Sequence, residues 1–321
     1  MNNIINQLTV TREDVLAAAE RIAGAVERTP LVASEIRGVR VWLKYECQQT
    51  GNSFKLRGAS NRLLQLTPEE RERGVVAFSS GNHGRGVAIA AKRLGIRAVI
   101  VMPAGAPKVK VEGTAEEGPE IVFFDRRTES REEIAARIAG ETGATVVPSY
   151  DDPHIVAGQG TAGLEIIDQL GRSPPLIVTP CGGGGLAAGL ALAVPDAAIV
   201  IAEPEGWDDM ARSLKLGELV SVGPNPPPTL CDAIQTLRGA DITFDILKRR
   251  NARGVAVSDD DVEAAIRWAF DEHGLVVEPG GAAALAAVLA GKVELVEDMV
   301  IMVSGGNVDP ALHERIVRDG L

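Results

Sequence analysis

From Val75 onward the 321-residue sequence alternates short apolar runs with stretches of helical spacing. Val75 to Phe78, Ala98 to Met102, Ile121 to Phe124 and Thr145 to Val147 have the residue types and lengths of strands. Between them Asn82 to Leu94, Lys108 to Glu117 and Ser130 to Gly140 carry helical spacing. A second series follows Pro153, with a helix from Ile155 to Leu170, a strand at Leu176 to Val178, a helix from Gly185 to Val194 and a strand at Ala198 to Ala202. Strands that alternate with helices pair in parallel, and a parallel sheet needs helices on both faces. The spacing therefore predicts an α/β protein of mainly parallel twisted sheets flanked by helices, and the length predicts two domains.

Outside these series, Thr11 to Asp14 opens a first helix with a capping-box pattern. Its apolar positions run Val15, Ala18, Ile22 and Val26, and Thr29-Pro30 ends it. Val41 to Glu46 alternates as a half-buried strand, residues 220–229 hold too many prolines and glycines for anything but a loop, and Ser258 to His273 is a well-capped helix. A helix from Gly281, a strand at Met299 to Val303 and a helix from Pro310 close the chain.

Several turns carry chemistry. Lys55 lies in Asn-Ser-Phe-Lys-Leu-Arg-Gly-Ala, residues 52–59, where a helix begins. A cation is out of place in a first helical turn, and a desolvated lysine amine is a nucleophile toward carbonyls. Cys181 is followed by four glycines, Gly182 to Gly185, and then a helix. Such a turn cradles an anion, because glycines let the backbone approach and the helix start favours negative charge. Gly183, Gly185 and Ala188 also fit a dinucleotide fingerprint, with Glu203 where a ribose-binding acid would stand, so a nicotinamide oxidoreductase is the competing reading. Ser79-Ser80-Gly81-Asn82-His83 precedes another helix and suits a carboxylate. Glu203 to Asp209 gathers carboxylates after a strand end, in the manner of a hard divalent cation site.

Together with Ser304-Gly305-Gly306-Asn307, these turns in this order resemble the fold-type II, tryptophan synthase β-like, pyridoxal-phosphate enzymes. Within that group the chain is most similar to the single-domain threonine/serine dehydratases, serine racemase and the hydroxyaspartate dehydratases. The resemblance implies a small inserted domain at 74–151 and a large cofactor-binding domain of 1–73 plus 152–321. It implies that Lys55 carries pyridoxal 5'-phosphate through its amine, that Phe54 packs on the pyridine ring, and that Asn82 bonds the phenolic oxygen. Gly182, Gly183, Gly184, Gly185 and Leu186 would bind the phosphate and Ser304 would face the ring nitrogen. Ser79, Asn82 and His83 would grip the substrate carboxylate, and Arg131 would approach the substrate. Ser80 would stand opposite Lys55, as the second catalytic residue of a racemase. Glu203, the Trp207 carbonyl and Asp209 would hold Mg or Mn. The implied activity is loss of water and ammonia from a β-hydroxy-α-amino acid by a homodimer, with racemisation as the alternative.

Composition narrows the field. A net charge of -11 argues against nucleic acid, which needs a basic face. The longest apolar run, Ala282 to Ala290, is too short to span a membrane. Cys47, Cys181 and Cys231 are odd in number and lack metal-type spacing, which fits a reducing cytoplasm.

Overall fold

A computed structural model of the chain describes residues 10–79 and 81–318. It has two sheets. The larger contains β1 (Leu31–Ile36), β2 (Val39–Tyr45), β7 (Leu176–Pro180), β8 (Ala198–Pro204), β9 (Arg253–Val257) and β10 (Val300–Val303), in the order β1-β2-β10-β7-β8-β9. Only β1 is antiparallel, joined to β2 through Arg37 and Gly38, which both adopt positive φ (51° and 78°). That two-residue reversal matches the twist of a hairpin. The smaller sheet contains β3 (Val75–Phe78), β4 (Ala98–Pro103), β5 (Glu120–Phe124) and β6 (Thr145–Val146), all parallel, in the order β5-β4-β3-β6.

The apolar runs without alternation are the strands covered on both faces: every residue of β4, β7 and β10 is buried. Helix α12 (Pro279–Leu289) packs on β7, β8, β9 and β10, which explains why its run of alanines holds no charge. Helix α2 (Lys55–Leu64) crosses α4 (Asn82–Leu94) and α7 (Pro153–Leu170). The α2–α7 crossing is tight, since a Cβ on Gly158 would lie 2.6 Å from the Cα of Gly58. Gly58 in the lysine motif is thus a packing requirement.

One expectation differs in detail, and two elements had none. The hairpin strand β1 has too irregular a burial pattern to signal itself in sequence. Helix α1 (Arg12–Arg21) stops at its cap Ile22 rather than reaching Thr29-Pro30, because residues 22–25 close into a turn in which Ala25 N donates to Ile22 O at 2.8 Å. Helix α3 (Pro68–Arg73) carries a capping box and an N-terminal proline but buries no residue, so it lacks an apolar stripe to read. No helix among the described residues is long and apolar enough to cross a membrane.

Candidate active site

One cleft opens at the carboxyl ends of the parallel strands, where the turns after β3, β7 and β10 meet the start of α2. It brings together Phe54 and Lys55, then Ser79, Asn82 and His83, then Arg131, then Gly182 to Leu186, and Ser304. Ser80 lies outside the described residues.

Backbone geometry aims Lys55. Gly51 and Asn52 both turn through positive φ (78° and 56°), Ser53 bridges Gly305, and Phe54 N donates to Ser304 O at 3.3 Å. The loop before α2 is thus laid against the turn after β10. Lys55 Nζ lies 4.9 Å above the Phe54 ring centre and donates to Ser149 O at 3.3 Å. Burial lowers its ammonium to about 8, with Glu278 and Cys181 opposing the shift. No carboxylate bonds it directly, which keeps the amine available as a nucleophile.

Two residues on, Arg57 is wholly buried and holds the helix from behind. It pairs with both oxygens of Glu46 at 2.8 Å and with Glu165 at 2.6 and 2.9 Å. Lys44 adds a bond to Glu165 at 2.6 Å. Burial works to raise the Glu46 carboxyl, but Arg57 and Lys44 outweigh it and hold it below the ordinary carboxylate range.

His83 Nε2 lies 2.9 Å from the carbonyl of Val147, and burial together with the Lys55 charge depresses its pKa to about 3. The imidazole is therefore neutral with Nε2 protonated, and its buried Nδ1 has no partner. On the other wall Gly184 takes φ 90° as the cap of α8 (Gly185–Ala193), and Thr243 Oγ1 donates to Gly183 O at 2.7 Å. A Cβ at Gly183 would sit 2.3 Å from the Tyr150 ring. The loop is a narrow seat bounded by Tyr150, and the first amides of α8 have no intrahelical acceptor. A phosphate fits there.

Residues 22–305 match the family described as pyridoxal-phosphate dependent enzyme. The chain belongs to that family. The residues present fit the family's cofactor: the Lys55 amine and the glycine loop Gly182 to Gly185, with room for an anion, line one cleft. An L-threo-3-hydroxyaspartate ammonia-lyase from Pseudomonas sp is 41% identical over 305 residues, or 92% of this chain and 95% of that protein. The L-threonine ammonia-lyase of Thermotoga maritima is 38% identical over 320 residues, or 97% of this chain and 79% of that protein. Maize serine racemase matches as a solved structure with TM-score 0.90 and 35% identity over 97% of this chain and 98% of that one. The dinucleotide reading fails. Glu203 is fully buried and its two oxygens accept from the amides of Met210 (3.3 Å) and Ala211 (2.7 Å), so it caps helix α9 (Asp209–Leu216) and cannot reach a ribose.

In this member of the pyridoxal-phosphate family, Glu203, Trp207 and Asp209 are not among the residues lining the cleft. Trp207 Nε1 donates to Pro227 O at 2.8 Å, and Asp209 Oδ2 accepts from Gly239 N at 2.9 Å. Among the described residues no three His, Cys, Asp or Glu side chains gather as a metal site. Asp209 Oδ1 is nevertheless buried without a partner, and burial raises both carboxyls, that of Asp209 to about 6. Sequence reasoning missed Tyr150, Lys110, Asp232 and Glu278, which also line the cleft. The visible signal was Glu278 before Pro279-Gly280-Gly281, a carboxylate at the mouth of a glycine-rich helix start.

Proposed function

We propose that the chain is an ammonia-lyase that removes water from a β-hydroxy-α-amino acid (threonine, serine or 3-hydroxyaspartate), and that hydrolysis of the released enamine takes a water back up to give ammonia and a 2-keto acid. The observation that carries this reading is the desolvated amine of Lys55 in one cleft with the glycine seat and the neutral hydroxyl of Ser304. Bound pyridoxal phosphate supplies an electron sink that acidifies the substrate's α-hydrogen. Lys55 would anchor the cofactor through Nζ and, as a free amine, would take the α-proton at Nζ. Gly182 to Leu186 would bind the phosphate, Phe54 would pack on the ring, and Asn82 would donate to the phenolic oxygen. Ser304 offers the ring nitrogen a hydroxyl rather than a carboxylate, which keeps the sink weak and favours loss of the β-hydroxyl.

Ser79, the backbone N–H of Asn82 and the other amides at the start of α4 would hold the substrate carboxylate. The His83 ring lines this wall but does not grip the carboxylate itself, because its Nε2–H is given to Val147 O and its Nδ1 only accepts. Arg131 stacks 5.3 Å over the Phe78 ring at the cleft, where a guanidinium suits a second carboxylate and so favours 3-hydroxyaspartate. Residues 74–151 form the inserted domain that carries Ser79, Asn82, His83 and Arg131 across the cleft from the rest. That all four strands of the smaller sheet fall between Val75 and Val146 supports the division. The protein works as a cytoplasmic homodimer; its three cysteines, all buried and free, are consistent with that compartment.

The holoenzyme is expected to release ammonia together with pyruvate, 2-ketobutyrate or oxaloacetate from serine, threonine or 3-hydroxyaspartate. No keto acid from any of the three would overturn the reading. Racemisation on the same scaffold is the second reading, favoured by the match to serine racemase. In that case Ser80→Ala lowers racemisation more than elimination.

Lys55 sets a pH dependence. An amine that loses its proton near 8, rather than at the usual 10.5, reaches its full nucleophile concentration early. The rate at which the apoprotein captures added pyridoxal phosphate is expected to climb roughly tenfold per pH unit below about pH 8 and flatten above it. Between those two values the unfolded chain binds the proton and the folded one does not, so apoprotein stability rises with pH there. Capture rates still climbing past about pH 10 would show an unperturbed lysine.

We further assign Mg or Mn to Glu203, the Trp207 carbonyl and Asp209. The orphaned Asp209 Oδ1 and two carboxyls that burial raises, that of Glu203 further through the charge of Asp209, support a missing cation. Chelation by EDTA is expected to lower the melting temperature and either ion to restore it. A melting curve indifferent to EDTA counts against the site.

A further inference from the structure

The side-chain amide of Asn82 has two ends of similar outline and opposite chemistry, and its neighbours determine which end faces the cleft. Asn82 Oδ1 accepts from Asn307 Nδ2 at 2.8 Å, while Asn82 Nδ2 donates to Glu278 Oε1. An amide nitrogen carries two hydrogens, so one remains on a residue that lines the cleft.

A flipped Asn82 would set its carbonyl against a carboxylate and its NH2 against the NH2 of Asn307. Asn307 cannot flip in compensation. Its Oδ1 accepts from Arg85 Nη1 at 3.0 Å and from Asn52 Nδ2 at 3.3 Å, and its Nδ2 also donates to Gly51 O at 2.9 Å. The turn after β10 is thereby tied both to Asn82 and to the loop that precedes Lys55.

Glu278 is 1% exposed, and its position is enforced from two sides. Lys110, on helix α5 (Lys108–Ala115), bonds both oxygens of Asp232 at 2.7 and 2.8 Å. Its Nζ also lies 2.9 Å from Glu278 Oε2 and forms an ion pair with it. Burial raises the Glu278 carboxyl and the Lys110 charge opposes that rise. On the other side, a Cβ at Gly305 would fall 2.0 Å from Glu278 Oε1, so only glycine leaves room for the Glu278–Asn82 bond.

We propose that Glu278 is a positioning residue that, with Asn307, locks the Asn82 amide so that an N–H and never its carbonyl faces the cofactor's phenolic oxygen. The proposal rests on the role given to Asn82 above. A carboxylate only accepts, whereas a glutamine both accepts and donates, so Glu278→Gln removes the lock while keeping the shape.

The test compares holoenzymes carrying Glu278→Gln, Asn82→Ala and both changes by the visible absorption of the bound cofactor, kcat, KM and melting temperature. Glu278→Gln is expected to move the visible band in the same direction as Asn82→Ala and to cut kcat about tenfold with KM little changed. The double variant is expected to be no worse than Asn82→Ala alone, because the two residues act as one unit. A parental band and parental kcat in Glu278→Gln, whatever its melting temperature, overturn the proposal and leave Glu278 a structural anchor for α12. Additive losses in the double variant overturn it too. If Asn82→Ala itself leaves the band untouched, the contact between Asn82 and the cofactor is wrong and the proposal falls with it. Asn307→Ala tests the same lock without touching the buried carboxylate. A band shift in the Asn82→Ala direction supports the lock, and a parental band overturns it.

Discussion

Lys55→Ala is expected to leave a folded protein that binds pyridoxal phosphate only reversibly and turns over at least about a thousandfold more slowly. Two functions are lost at once, the covalent anchor and the base at the α-carbon. The measurement is the visible spectrum before and after borohydride, followed by denaturation. The parent should keep reduced cofactor on the chain after unfolding and the variant should release it. Because Lys55 Nζ makes a single protein hydrogen bond, to Ser149 O, its removal takes little from the fold and the melting temperature of the apoprotein should hardly change. Retention of reduced cofactor by the variant would place the attachment on another amine, and Lys110, which also lines the cleft, would be the first to examine.

The largest stability effect is expected two residues away. Arg57→Met deletes the guanidinium that pairs with Glu46 and Glu165, and neither Glu46 nor Arg57 has any exposed surface. A buried carboxylate stripped of its partner costs about 3 to 5 kcal/mol, seen as a lower urea midpoint with an unchanged slope. Arg57→Lys keeps the charge but not the fork that reaches both carboxylates, so it should recover only part of the loss. A fall under about 1 kcal/mol in Arg57→Met would mean that Lys44 and Thr29 already neutralise the cluster, and the clamp behind α2 would then be a minor one.

The parts of the site that were legible in sequence share one property. Lys55, Ser79, Asn82 and His83, Gly182 to Leu186 and Ser304 each sit in a turn directly after a strand or at a helix start, so local spacing and turn chemistry announced them. Tyr150, Asp232 and Glu278 stand in connecting segments with no periodic pattern, and Lys110 lies in a short helix whose charges give no stripe. Their roles arise only when two sheets face each other. Glu203 shows the opposite limit: its spacing from the glycine loop fitted a ribose-binding acid, and burial beneath α9 is what removed that possibility. At the level of the fold, the parallel strands betrayed themselves through unbroken apolar runs, whereas the antiparallel β1 depended on a hairpin turn of arginine and glycine that no turn dipeptide rule picks out.

The strand order also fixes when the cleft can exist. β10 lies in the middle of the larger sheet, hydrogen-bonded to β2 on one side and to β7 on the other, although it comes after nearly everything else in the chain. During synthesis the earlier strands therefore wait with two open edges, β2 and β7, until residues 300–307 emerge and slot between them. Only then do Ser304 and Asn307 reach Phe54 and Asn82. Until then the cleft lacks Ser304 and Asn307, and a nascent chain stalled short of β10 should hold the cofactor less firmly than the folded enzyme.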